Sequence, residues 1–253
     1  MKINFTQIFT DSWNFVRNQP RFLVQFSVLF AVETILFTYF LKQQIPTELL
    51  SKNLTQMDLS SIHIPSHLYF VVLLESFINL FLFAWVILAI NQYSSRQFLS
   101  FSQICGRIFQ RLLGLIGIIF LIGLPLVMSA VNVILAKVSH SSASFIALLS
   151  FVLGIVIFVR FCLAFPYYLL NNITIMQCFQ DLWRQGFKRS GTLFLFCLIN
   201  YMFFPIIMQF VLSLNPGNLL IGTLLQLIAS AVYVFSIIFL YRFYSCFIQK
   251  GER

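Results

Sequence analysis

Six long apolar runs limit what this chain can become more than any motif does. They lie near 22–41, 68–90, 112–136, 145–170, 191–213 and 219–240 of a 253-residue chain. As helices, each is long enough to cross about 30 Å of hydrocarbon. The segments between them are short, the longest being 42–67, so no soluble domain fits and 1–253 reads as one integral membrane domain. The expected fold is all-α, a polytopic membrane protein with six transmembrane helices. Composition agrees: 60% of residues are hydrophobic and 9% charged, with mean hydropathy +0.91. A soluble domain carries about 25% charged residues, which excludes an ordinary soluble enzyme. Aromatics reach 17%, with 32 Phe, a composition suited to acyl chains.

The formal charge is +9, yet the basic residues border the apolar runs instead of forming a nucleic-acid patch. Six spans put both termini on one side. Lys2, Arg17, Arg21, Arg96, Arg107, Arg111, Arg184, Lys188, Arg189, Arg242, Lys250 and Arg253 flank that side, against Lys42, Lys52 and Lys137 on the other. The positive-inside rule then predicts cytoplasmic termini and basic residues facing anionic lipid. Cys105, Cys178 and Cys246 fall on the cytoplasmic side, and Cys162 and Cys197 in the cytoplasmic halves of spans four and five. Without metal-ligand spacing they read as small apolar side chains. The first apolar run follows 21 mostly polar residues, carries Glu33 and lacks a small-residue cleavage site. It is expected to remain as the first span.

A short pattern precedes spans one, three and five. Asn4, Ser100 and Thr174 offer helix caps, and Gln7, Gln103 and Gln177 follow three residues later. That spacing is a capping box. Apolar stripes then recur with helical spacing: Phe5, Ile8, Phe9 and Trp13; Phe101, Ile104, Cys105, Ile108 and Phe109; Ile175, Cys178, Phe179, Leu182 and Trp183. The pattern predicts three inner-leaflet amphipathic helices over 4–17, 100–111 and 174–185, with rings among acyl chains and cations near phosphates. Trp13, Arg17, Arg107, Phe109, Trp183 and Arg184 are the expected interfacial anchors. Each unit would be an interfacial helix plus a transmembrane hairpin, repeated over 1–90, 96–170 and 171–247.

Glu33, Glu75 and Arg160 are the ionisable residues inside spans, forming a candidate intramembrane polar site. Such groups should face protein, water or a counter-ion. Both glutamates sit roughly 10–12 Å below the outer edge at about 1.5 Å per residue. They are expected to be neighbours, as a structural pair hydrogen-bonded to Thr34, Asn79 or similar groups, as a proton relay, or near an outer vestibule. Arg160, at a different depth, would reach phosphates, an acceptor in the bundle, or an anionic headgroup. Pro125, Pro166 and Pro205 predict kinks. His63, His67 and His140 are assigned outside; Pro65 between the first two argues against a helical metal pair. No metal site and no cofactor are expected.

The segment Phe9-Thr10-Asp11-Ser12-Trp13-Asn14-Phe15-Val16-Arg17-Asn18-Gln19 resembles the start of the uncharacterised YciC-like family of bacterial inner-membrane proteins. Cys178–Arg184 and Tyr241-Arg242-Phe243-Tyr244 are similar to it as well, and the resemblance covers almost the full length. It implies a polytopic protein of the Gram-negative inner membrane with no established catalytic activity, and supplies no functional residues. The functional expectation is a non-enzymatic membrane protein in envelope or membrane-lipid homeostasis, with membrane lipids as partners and no nucleic acid. A small-molecule or ion transporter using the intramembrane carboxylates, and a membrane-embedded lipid enzyme, are the alternatives. A water-lined cavity reaching the glutamates would favour transport, and a lateral groove near Arg160 would favour lipid interaction.

Overall fold

The computed structural model describes residues 3–44, 66–96, 100–138, 145–187, 189–215 and 217–249. Within them every regular element is helical. These are α1 (Phe5–Asn18), α2 (Pro20–Gln44), α3 (Ser66–Ser95), α4 (Phe101–Val138), α5 (Phe145–Phe161), α6 (Ala164–Leu170), α7 (Ile175–Gly186), α8 (Ser190–Leu198), a π turn (Ile199–Phe203), α9 (Phe204–Ser213) and α10 (Leu219–Gln249). Six stretches are long and apolar enough to cross a membrane: Pro20–Leu41, Leu68–Ser95, Phe101–Ala136, Phe145–Leu170, Ser190–Ser213 and Leu219–Ile248. The six runs in the sequence correspond to these. His63, His67 and His140 lie outside the residues whose side chains are described.

The caps form as the spacing predicts. The Asn4 side chain accepts from the backbone N–H groups of Thr6 and Gln7. At Ser100–Gln103 and Thr174–Gln177 both reciprocal bonds of the box are made. The expectation of three separate interfacial helices, however, fails at the middle copy. Residues 101–111 run without a break into the third span, giving one helix of 38 residues. At about 1.5 Å per residue it is about 57 Å long. The first copy ends because Pro20 has no N–H to continue the ladder, and the third ends at Gly186. Nothing equivalent interrupts Gln110-Arg111-Leu112.

The stripes also point elsewhere than predicted. Ile8, Ile104 and Cys178, at one aligned position, are all buried, as are Ser12, Ile108 and Leu182 four residues on. That half of each stripe packs into protein instead of acyl chains. The other edge, at Trp13, Phe109 and Trp183, is exposed by 56%, 57% and 48%. Each copy rests on the even-numbered span preceding it. Phe101 and Phe109 meet Trp85 and Phe81 of α3 at centroid distances of 5.0 and 5.9 Å. Phe179 and Trp183 meet Phe161 of α5 at 4.6 and 6.0 Å. The first copy closes onto the last span, with Phe5 on Phe243 at 5.7 Å and Phe9 on Phe235 at 5.4 Å.

Burial is concentrated at one end of the bundle. The main core occupies 22–30, 82–90, 104–118, 162–169, 193–204 and 234–247, the halves of all six spans next to α1 and α7. At the other end Tyr39, Phe70, Leu135, Phe145 and Leu219 are exposed. Large contiguous apolar surface of this kind is rare on a soluble monomer. The core is therefore concentrated where α1 and α7 dock, and large apolar side chains are more exposed at the other end.

Candidate functional site

A cavity of about 1090 Å³ lies between α3, α4, the α5–α6 joint and the π turn. Its wall is mostly Phe, Leu and Ile, interrupted by Glu75, Ser76 and Asn79 of α3. Leu73 and Phe120 line it and are 68% and 64% exposed, so it opens sideways. Gly123 forms part of the wall and has nothing within 4 Å of where a Cβ would project. Elsewhere on the same hairpin Gly154 lets Leu126 come within 2.6 Å of its missing Cβ, drawing α5 against α4. The hairpin closes on itself and leaves the space toward α3.

The prolines shape the inner part of this cavity. Pro166 supplies no N–H to the Cys162 carbonyl four residues back, and α5 gives way to α6 there. The Tyr201 hydroxyl donates to that carbonyl at 3.4 Å. Tyr201 reaches it from the π turn that precedes Pro205. Pro125 sits inside an unbroken α4.

Glu33 is buried, within electrostatic reach of Glu75 and hydrogen-bond reach of Asn79. Its Oε1 has no partner. Thr34, expected as a possible partner, donates instead to the Phe30 carbonyl of its own helix. Glu75 lies on the cavity wall, and Glu33 of α2 is within its electrostatic reach. Arg160 does not join them. Its guanidinium lies 5.1 Å above the Trp183 ring and 5.7 Å from that of Phe187, with Nη1 buried and unpartnered. The suggested three-residue polar site is therefore two sites.

Several expected anchors have protein partners. Trp183 is a shelf for Arg160 and stacks on Phe161. Arg107 donates to the Leu170 carbonyl at 3.1 Å, and Arg111 to the Tyr168 carbonyl and the Asn172 side chain. Cations there satisfy the free carbonyls at the end of α6 and complement its dipole. Arg107 is thus a helix cap, where the sequence suggested a phosphate contact. Arg17 and Arg184 remain exposed, as does Phe109 against Phe81.

A second, polar cavity of about 470 Å³ was not anticipated. Asp11, Asn14, Phe15, Asn18, Gln19, Tyr93 and Arg242 line it. The i, i+3, i+7 spacing of Asp11, Asn14 and Asn18 was the available signal, since it puts three polar groups on one face of α1. Nearby tyrosines join the helix ends: Tyr241 to Asn91 at 2.9 Å, Tyr244 to Asn171 at 2.9 Å and Tyr167 to Asp181 at 3.1 Å. Burial, with a smaller contribution from the Asp181 carboxylate, pushes the Cys178 thiol up to about 12. Among the described residues no group of three or more His, Cys, Asp or Glu is placed to hold a metal ion.

The chain is 28% identical over 252 residues to an uncharacterised protein of Haemophilus influenzae, covering 98% of this chain and 100% of the relative. No protein-family model and no solved structure matches it. The chain thus has a distant bacterial relative along its whole length.

Proposed function

We propose that this protein is a multi-pass protein of the bacterial inner membrane, without catalytic chemistry, that holds a lipid-like amphipathic molecule in the larger cavity and serves membrane-lipid or envelope homeostasis. The cavity carries this reading, because it is apolar, open to the side and marked at one place by Glu75, Ser76 and Asn79. In a bilayer, apolar contact alone gives little preference for protein over lipid. A hydroxyl or amine meeting those three side chains would therefore decide which molecule stays. The similarity of 9–19, 178–184 and 241–244 to the YciC-like family supports the location, and the excess of basic residues on one flank supports cytoplasmic termini. The cyclic docking of the three motif copies supports reading the chain as three related units over 1–90, 96–170 and 171–247.

Mass spectrometry of lipids retained by the purified protein tests the proposal. Wild-type protein should retain one lipid class above its share of the membrane. Gly123→Phe should displace it by filling open space, and Glu75→Gln should change which class is kept. Retention that mirrors the bulk membrane in all three would refute the reading. The paired glutamates favour a second reading, proton-coupled movement of a small molecule. That reading requires pH-dependent uptake into vesicles to vanish in Glu33→Gln while the fold persists.

A further inference from the structure

The polar cavity at the base of α1 shares no lining residue with the larger one. It brings together two segments far apart in sequence, 11–19 and Arg242, with Tyr93 of α3 between them. The Arg242 guanidinium lies over the Phe15 ring, 5.3 Å from its centroid. The Arg242 Nε is buried without a hydrogen-bond partner. A charged group held in this way is costly until an acceptor meets it, and phosphate oxygens match a guanidinium fork. Asp11 lines the same space, so a bare dianion would meet a carboxylate. A ligand carrying both a phosphate and an ammonium would pair with each. Asn14, Asn18 and Gln19 add amide donors and acceptors between them. The volume lies within the range of about 300–1,000 Å³ common for small-molecule sites. Exposed Phe9 and Trp13 on the same helix provide apolar surface for attached chains.

We infer that this cavity binds a phosphoethanolamine group, with the phosphate on Arg242 and the ammonium on Asp11. The group has two sources, a lipid headgroup and the free molecule. Titration of the full-length protein in detergent with dihexanoyl phosphatidylethanolamine, phosphatidic acid and phosphatidylcholine, and with soluble phosphoethanolamine, tests the inference. The ethanolamine lipid should bind at least tenfold more tightly than the other two lipids, because phosphatidic acid lacks the ammonium and choline cannot donate N–H bonds. Competition by soluble phosphoethanolamine at comparable concentration would place the ligand in solution; binding of the lipid without such competition would place it in the bilayer. Arg242→Gln should weaken binding at least tenfold. Asp11→Asn, at an exposed position, should keep the fold and remove the preference over phosphatidic acid. Equal binding of the three lipids by wild-type protein, or an unchanged preference in folded Asp11→Asn, would overturn the inference. The Asp11 variant decides the matter even if Arg242→Gln does not fold, and neither result bears on lipid retention in the larger cavity.

Discussion

The Cys162 carbonyl shows how a single backbone group can tie two spans together. Pro166 leaves it without its helical donor, and Tyr201 from another span supplies one. Tyr201→Phe removes that donor and leaves the carbonyl buried, which should cost about 1–3 kcal/mol. Thermal unfolding in detergent should register a lower midpoint. Gly114 is constrained differently: the Tyr168 ring occupies the place a Cβ would take, while Arg111 stacks on that ring at 4.9 Å. Gly114→Ala must push the ring away and should destabilise by about 1–3 kcal/mol, as overpacking does. Gly123→Ala, which meets open space, should be nearly neutral in the same assay. Cys178 gives a pH-dependent case. Its folded pKa of about 12 exceeds the ordinary thiol value, so its contribution to stability is complete below about 8.5 and is lost as pH rises through the folded value. At pH 8 iodoacetamide should modify Cys178 in unfolded protein and spare it in native protein, as peptide mass mapping would reveal.

The elements owe their ends to local chemistry and their positions to neighbours. Thr174 caps α7 and Gln177 returns the bond, so Thr174→Ala should cost about 0.5–2 kcal/mol. Arg107 and Arg111 close the end of α6 from α4, a connection that covers more than 50 residues of chain. Truncating both to Ala should loosen α6 and speed hydrogen exchange at 167–171, while α4 keeps its own ladder. The motif copies carry a repeated local pattern but three different junctions. A proline follows the first, the second continues as helix and a short break follows the third. A shared stripe therefore does not imply a shared orientation.

At the scale of the whole molecule, the two ends of the bundle differ in burial. Docking of α1 and α7 consolidates the end where most buried aromatics meet, and the larger cavity opens beside Glu75. With an even number of spans, and with Phe5 against Phe243, the beginning of the chain lies beside the end of the last helix. The proposed orientation puts that end in the cytoplasm. Single cysteines at Gln43 and Asn218, in a cysteine-free background, should then react with an impermeant maleimide added outside intact spheroplasts. Cysteines near residue 17 should not.

Span number and the caps were legible in the sequence because each follows from spacing along a helix of known rise. About 20 apolar residues span a bilayer wherever they occur, and a cap needs only the residue three positions on. The continuity of α4 was missed because a change from amphipathic to uniformly apolar sequence looks like a helix end, although hydrogen bonds pass through it unaffected. The partners of Arg107, Arg160 and Trp183, and both cavities, depend on how helices rotate about their axes and how closely they approach. One-dimensional periodicity identifies a face but not what covers it. Arg160 illustrates the point: its depth marked it as unusual, and only the docking of α7 set its guanidinium against Trp183 instead of a glutamate.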